Sequence, residues 1–239
     1  MLCSPSGPWG EGRIGPADEG RAAMVFEYVA ARWDQIWFAS WQHFSLVVQC
    51  VVLAVVLAVV IAVLVHRTPW LSAVANGVSA VGLTLPSFAL VGLLIPFLGF
   101  GVPPAVAIVT FFATLPILRN AVVGLNEVDA SLLESARGAG MGSMRTLLTV
   151  QLPLAWPIIL TGVRVSAQMV MGIAAVAAYS LGPGLGGFIF SGLSRTGGAN
   201  ALASVVTGVV GVIVLAAVLD LLLVGLGRLT ISRGIRVQN

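Results

Sequence analysis

The feature that most constrains this chain is the uninterrupted apolar run from Phe44 to Val65. It contains 22 residues and no charged side chain. As a helix rising 1.5 Å per residue it extends over about 33 Å, close to the roughly 30 Å hydrocarbon core of a bilayer. The run is therefore predicted to cross a membrane.

The charge content of the whole chain favours the same environment. Only 9% of the 239 residues are charged and 58% are hydrophobic, whereas a soluble domain carries roughly 25% charged residues. The twelve basic residues are dispersed arginines, a pattern that does not indicate a nucleic-acid partner. The composition predicts a single all-α membrane domain.

Four further apolar segments predict about five transmembrane helices in all. Two of them carry the prolines Pro86, Pro96 and Pro116. Because neighbouring helices must cover the backbone groups that proline frees, helices two and three are expected in the packed interior. The four segments are about 71–98, 104–118, 158–181 and 201–226.

The amino-terminal part differs from the rest. Residues 1–23 are rich in Gly and Pro and are predicted to be a disordered tail, or an extension upstream of a true start at Met24. Residues 24–42 are aromatic and amphipathic, which predicts an interfacial helix. Its headgroup-level side chains are expected to be Phe26, Trp33, Trp37 and Trp41.

Arginine placement predicts the orientation, because short cytoplasmic loops are enriched in positive charge. Segments 66–70, 119–157 and 227–239 together carry seven arginines, more than the opposite side carries. The amino terminus is therefore expected outside and the carboxyl terminus inside. Residues 43–230 then form the transmembrane domain, with a cytoplasmic loop at 119–157 and a cytoplasmic tail at 231–239.

The long loop at 119–157 has helix signals of its own. Asp129 is suited to cap a helix, and Ser131 with Glu134 has the spacing of a capping box. A second helix is expected to restart near Met144. The apolar side of the first helix comprises Val128, Leu132, Leu133 and Ala136. The glycines expected to end it are Gly138, Gly140 and Gly142.

This loop resembles the EAA loop of binding-protein-dependent ABC importer permeases. The matching residues are Glu134-Ser135-Ala136, then Gly140, then Val150-Gln151-Leu152-Pro153 at the family spacing. Ser135 and Val150 depart from the usual Ala and Ile by small changes in size. The resemblance implies a type I ABC importer permease fold and a coupling helix that docks in a cleft of a cytoplasmic ATPase subunit. The implied coupling residues are Asp129, Leu132, Leu133, Glu134, Ser135, Ala136, Gly138, Gly140, Val150, Leu152 and Pro153.

Other stretches resemble the osmoprotectant branch of that family. They are QHFSLV at 42–47, TLPSFAL at 84–90, LPILRN at 115–120 and GPGLGG at 182–187. The resemblance implies import of glycine betaine, choline, carnitine or a related quaternary amine. It also implies an extracytoplasmic substrate-binding protein and a second permease, either a copy or a homologue, in a bacterial inner membrane. A permease for another small solute, such as an amino acid, is the alternative.

Energy coupling is expected to come from a partner chain. A Walker A motif needs a lysine, and this chain has none, so it is not expected to be an enzyme or to hold a cofactor or metal. Gly182, Gly184 and Gly187 match G-x-G-x-x-G, but without a βαβ context they predict only a turn. An ion-coupled transporter is less favoured, because that class uses several intramembrane ionisable residues.

Two charges do lie within the apolar segments. Arg164 is expected about one turn into helix four, where it can snorkel to the cytoplasmic face, and Asp220 is expected to pair or pack near that face. The helices show no aromatic cluster that predicts a cation cage, so high-affinity selection is expected in the binding protein. The candidate substrate-path residues are Thr84, Pro86, Ser87, Tyr179 and Ser180.

Overall fold

The computed structural model describes residues 16–231, and every regular element in this range is helical. The first helices are α1 (Pro16–Ala31), α2 (Trp33–Val65), α3 (Pro69–Thr84), α4 (Ser87–Leu98) and α5 (Val102–Asn126). The loop that follows contains α6 (Ala130–Gly138) and α7 (Ser143–Thr146). A π-helical turn (Leu147–Gln151), α8 (Leu152–Ala177), a 3₁₀ turn (Ala178–Ser180), α9 (Gly186–Ser194) and α10 (Ala201–Thr230) complete the order.

The expected number of membrane-spanning elements is confirmed. Helices α2, α5 and α10 are each long and apolar enough to cross a bilayer, as is the continuous helix Ser143–Ser180 that contains α7 and α8. A fifth crossing exists if α3 and α4, which meet at 95°, are counted as one broken span. The described residues thus contain four spans, or five with the bent pair.

The break between α3 and α4 lies at the proline of the second segment. Leu85 precedes Pro86 and has an extended backbone, with φ −66° and ψ 131°, because the pyrrolidine ring disfavours a helical residue before it. Most side chains of α3 and α4 are exposed, whereas α5 is largely buried. The expectation of an interior position is therefore wrong for helix two and correct for helix three.

Helices α5 and α8 form the centre of the bundle. A Cβ on Gly162 would lie 2.7 Å from Cβ of Asn120, and one on Gly124 would lie 3.1 Å from the carbonyl oxygen of Ala155. The buried hydroxyl of Ser166 donates to the carbonyl of Ala113 at 2.8 Å. In lipid, helices commonly associate through small residues that let two backbones approach and through hydrogen bonds across the contact.

The aromatic segment 24–42 is not one helix in the structure. The backbone leaves the helical region at Arg32 (φ −124°, ψ 19°), and α2 then continues without interruption from Trp33 to Val65. Trp33–Gln42 therefore extends the first span, and α1 precedes it. Residues 16–23, expected in the disordered tail, form the first turns of α1, and residues 1–15 lie outside the described residues. The interfacial position of the aromatic side chains stays a prediction.

The glycine-rich stretch 182–187 turns the chain between α8 and α9. The predicted turn is present, but the sequence did not predict α9 after it. Gly184 has a φ of +114°, and a Cβ there would lie 2.6 Å from Nδ1 of His43. The His43 imidazole is fully buried, and its Nε2 lies 3.2 Å from the carbonyl oxygen of Met171 on α8. His43 thus fastens α2 both to α8 and to this turn.

Replacing Gly184 by alanine is expected to destabilise the fold, because the new methyl group meets a fixed imidazole and the backbone is in the left-handed region. The cost should be about 1–3 kcal/mol, typical of overpacking a filled site. The matched control is Gly187→Ala, since a Cβ there has open space around it. Thermal unfolding of the detergent-solubilised protein, followed by tryptophan fluorescence, checks this. Equal midpoints for both variants would contradict the proposed role of His43.

Candidate coupling helix and translocation face

Asp129 caps helix α6, whose first residue is Ala130. The Asp129 carboxylate accepts a hydrogen bond from the Ser131 backbone N–H at 2.8 Å. The predicted cap is therefore confirmed, whereas the predicted box between Ser131 and Glu134 is wrong because both residues already lie inside the helix. The Ser131 backbone N–H, followed by its side chain, lowers the pKa of Asp129 below its ordinary value. The cap therefore stays ionised at neutral pH.

Helix α6 ends in a Schellman motif. The Met141 N–H donates to the carbonyl of Ala136 at 3.0 Å, and the Gly140 N–H donates to that of Arg137 at 2.9 Å. Gly140 has a φ of +80°, the left-handed conformation that this motif requires and that glycine adopts without steric cost. Gly138 is the last helical residue, and Gly142 begins the next helix. Of the three glycines, only Gly140 has the left-handed conformation that ends α6.

The faces of α6 differ in exposure. Ala136 is buried and Leu133 is half-buried against the body of the protein. Leu132 is 46% exposed, and Glu134 and Ser135 are also exposed. The outer face therefore presents an apolar side chain beside an acidic and a hydroxyl group, on a short helix that is fixed at both ends. Such a surface is suited to insertion into a partner's cleft.

The second half of the EAA resemblance, Val150 to Pro153, lies where a π-helical turn enters α8. Pro153 has no N–H to continue the α-helical ladder, and the turn before it is widened, with the Leu152 N–H donating to the carbonyl of Leu147. Single π turns of this kind occur often at functional sites. The structure thus places Val150 in the π-helical turn and Leu152 and Pro153 at the start of α8.

The loop that carries α6 connects the two most closely packed helices of the bundle. It leaves from the end of α5 at Asn126 and returns through α7 into α8. A force on α6 therefore reaches both helices of the α5–α8 pair directly through the backbone. Because packed helices move as units rather than deform continuously, this connection can convert a displacement of α6 into a tilt of the bundle.

A cluster of three aromatic rings lies at the other end of α8. The Phe88 ring on α4 is 4.7 Å from the Tyr179 ring, and the Phe190 ring on α9 is 5.5 Å from Tyr179, between centroids. Phe88 and Tyr179 are each about half exposed. The sequence did not indicate this three-ring cluster, because the three residues are far apart along the chain and meet through the α3–α4 bend and the turn before α9.

The other substrate-path candidates differ in their exposure and in the hydrogen bonds that they make. Pro86 creates the bend that places Phe88 beside Tyr179, and Ser87 begins α4. Thr84 is exposed, but its hydroxyl donates to the carbonyl of Val81 in its own helix. Ser180 is fully buried; its hydroxyl donates to Ala177, and its carbonyl accepts from the Gly101 N–H at 2.7 Å. Tyr179 is thus available to a solute, whereas Ser180 fixes the turn.

The two intramembrane charges bind each other. The Arg164 guanidinium contacts both carboxylate oxygens of Asp220 at 2.9–3.0 Å, and the Gln168 amide donates to the same carboxylate at 2.9 Å. Arg164 is further from the helix end than predicted, because the continuous helix begins at Ser143 and not at 158. The Arg164 side chain forms an ion pair within the span, whereas the sequence predicted that it would snorkel to the cytoplasmic face. Charged groups at such depth face other protein or a polar path rather than lipid.

One face of α8 remains uncovered along its length. The exposed residues on it recur at intervals of three, four or seven, as one helix face requires. The face is polar or small at most positions, unlike the leucine- and valine-rich exposed face of α10. These residues are Thr161, Val165, Gln168, Gly172 and Tyr179.

Comparison with known proteins agrees with this geometry. The profile of the family described as binding-protein-dependent transport system inner membrane component matches residues 51–231. The chain belongs to this family. It is therefore a multi-pass permease of a bacterial inner membrane. Permeases of this family work in general with an ATPase subunit and a substrate-binding protein.

Three curated relatives are permeases for osmoprotectant-type solutes by name. The osmoprotectant import permease protein OsmW of Salmonella typhimurium is 36% identical over 82% of this chain and 92% of its own length. The choline transport system permease protein OpuBB of Bacillus subtilis is 32% identical over 83% and 90%. The carnitine transport permease protein OpuCB of Listeria monocytogenes is 37% identical over 65% and 71%.

A solved structure with the same fold is the MetNI methionine ABC transporter in inward-facing conformations. The superposition has a TM-score of 0.66 at 22% identity and covers 85% of this chain and 99% of that one. The type I ABC importer permease fold implied by the EAA resemblance is thereby confirmed. At this identity the likeness establishes the fold alone.

Replacing Gly140 by alanine is expected to loosen the end of α6. A Cβ at Gly140 has open space, so the cost is that of a left-handed backbone alone, about 1–2 kcal/mol. Hydrogen exchange of amides 131–141 should accelerate about tenfold in the purified protein. ATP-driven uptake should fall while membrane insertion is unchanged.

The matched control for this change is Gly138→Ala. Gly138 also has open space for a Cβ, and it lies in the helix with ordinary backbone angles. Alanine there should leave exchange and uptake near the wild-type level. The same exchange rates in both variants would show that the left-handed residue does not hold α6.

Proposed function

We propose that the chain is the permease subunit of an ABC importer that translocates quaternary-ammonium osmoprotectants such as glycine betaine, choline or carnitine. The observation that carries the substrate class is the relationship to permeases named for choline, carnitine and osmoprotectants, which extends over most of the chain. The exposed aromatic cluster at Tyr179 supports it independently.

The proposed mechanism begins at α6. The cytoplasmic ATPase receives the Leu132–Glu134 face of α6, and closure of the ATPase dimer on ATP displaces α6. The α5–α8 pair tilts with it, because the loop joins directly to both helices. In this proposal the amino terminus is outside, which places α6 and Arg137 in the cytoplasm and the aromatic cluster on the opposite side.

A second permease, either a copy or a homologue, covers the exposed face of α8. The ion pair of Arg164 and Asp220 supports this arrangement, because a partly exposed charge pair within a membrane span is costly against lipid. The solute path then runs between the two permeases, along Thr161, Gln168 and Tyr179. No bond is made or broken in the solute, so the work of this chain is to alternate access.

The aromatic cluster is the proposed contact for the cationic head. Ring faces attract a quaternary ammonium group within about 6 Å of a ring centroid, with a strength of about 2 kcal/mol when water is excluded. Phe88, Tyr179 and Phe190 contribute tilted rings from three separate elements. The contact is partly open, which is suited to weak, transient binding of the solute. Selective, high-affinity binding of the solute is then the role of the substrate-binding protein.

Uptake by the reconstituted transporter, with its ATPase and binding protein, tests the proposal. Labelled choline, glycine betaine and carnitine are the expected substrates, and labelled methionine represents the amino-acid alternative. ATP-driven uptake of a quaternary amine is expected. Uptake of methionine alone would contradict the proposed substrate class and leave the ABC permease assignment intact.

The cluster itself is tested by Tyr179→Leu, which should lower the maximal uptake rate of the quaternary amine about tenfold by removing one ring face. Tyr179→Phe retains the ring and should restore uptake. Phe97→Leu is the control, because Phe97 is an exposed aromatic residue of the same α4, nine residues after Phe88 and about 13 Å further along the helix. Equal rates in all three variants would exclude a contact at Tyr179.

A further inference from the structure

A polar pocket of about 390 Å³ lies behind α6, where the ends of α2 and α5 meet the start of α7. It is separate from the solute path and from the exposed face of α6. Its lining contains two arginines and several uncharged polar residues but no carboxylate. The polar lining residues on which the inference rests are His66, Arg67, Arg137, Ser143, Thr146 and Gln151.

The positive charges of this pocket have no ion-pair partner among the described residues. Neither Arg67 nor Arg137 has an ion-pair partner within residues 16–231, where the observed salt bridge is that of Arg164 with Asp220. Arg67 follows the end of α2, and Arg137 belongs to the last turn of α6. Two guanidinium groups at one pocket without an acid favour a bound anion.

Two buried atoms in the lining also lack a partner. They are Nε2 of His66 and the hydroxyl oxygen of Thr146, on side chains that are 8% and 5% exposed. The other ring nitrogen of His66 lies 2.9 Å from the carbonyl oxygen of Val63. Buried polar groups normally find a hydrogen-bond partner. The oxygens of a phosphate group can accept from the Thr146 hydroxyl, and an O–H of hydrogen phosphate, or of the glycerol headgroup of phosphatidylglycerol, can donate to Nε2 of His66.

The start of a long helix points to the same chemistry. The continuous helix Ser143–Ser180 begins at this pocket, after Gly142, which has no side chain to cap it. The free N–H groups and the dipole at such a helix start attract phosphate. The helix start, the unpaired arginines and the unpartnered buried atoms are independent observations, and they favour the same ligand.

We infer that this pocket binds a phosphate group, and that the bound anion joins the end of α2 to α6. The pocket lies at the ends of two membrane spans, α2 and α5, and basic pockets between transmembrane helices bind anionic headgroups. The source is therefore the phosphate of an anionic lipid or free phosphate. With Arg67 and Arg137 on one ligand, α6 is braced against the bundle while the ATPase moves it.

The test uses the transporter complex purified with its ATPase and placed in nanodiscs. Native mass spectrometry measures retention of phosphatidylglycerol against a phosphatidylcholine background, and ATP-driven uptake is measured in vesicles of the same two compositions. A second arm adds inorganic phosphate to complexes in phosphatidylcholine alone and measures phosphate adducts. The variant is Arg67→Gln with Arg137→Gln. The control is Arg119→Gln with Arg145→Gln, which removes the same charge from exposed positions outside the pocket lining.

The wild type and the control should retain phosphatidylglycerol or phosphate, and the pocket variant should lose about tenfold in affinity, as expected for lost charge-assisted hydrogen bonds. Uptake should follow retention. Lipid retention without phosphate adducts identifies the headgroup as the source, and the reverse identifies free phosphate. Three results would overturn the inference: no retention in the wild type, equal losses in both double variants, or arginines that cross-link to a carboxylate of the ATPase while no anion is retained.

Discussion

The close approach of α5 and α8 is the contact on which the rest of the structure depends. In lipid there is no hydrophobic force to drive two apolar helices together, so their association relies on packing and hydrogen bonds. Gly124 and Gly162 permit that packing, and the Ser166 hydroxyl adds a hydrogen bond to the Ala113 carbonyl. The loop that carries α6 joins these two helices through the backbone. In the proposed mechanism the function depends on that connectivity, because a rigid pair of helices transmits a displacement of α6 that a flexible pair would not.

The features that depend on local sequence were predictable. Apolar length located the membrane spans, because a bilayer fixes the length of any helix that crosses it. The helix within the 119–157 loop was also predicted, since Asp129 is a strong cap and Gly140 a strong stop. The predicted capping box between Ser131 and Glu134 does not form, because both residues lie inside the helix that Asp129 caps. Orientation remains an expectation from arginine placement.

The features that depend on contacts between distant segments were not predictable. Pro86 predicts a break in the helix, but the 95° angle between α3 and α4 also depends on how α4 packs against the bundle. Phe88 reaches Tyr179 through that bend, and Phe190 reaches it through the turn before α9. The depth of Arg164 was misjudged because the apolar segment that predicted helix four begins at about 158, whereas the continuous helix extends back to Ser143. The fold also serves a methionine transporter, so it does not define the solute.

The most direct test of the central claim is to identify the protein that contacts the exposed face of α6 in the membrane. A photo-crosslinking amino acid at Leu132, which is 46% exposed on that face, can be compared with one at Phe97, exposed on α4. The account predicts an adduct between Leu132 and the ATPase subunit and none from Phe97. If Leu132 cross-links to lipid or to the substrate-binding protein and never to the ATPase, α6 is not the coupling helix.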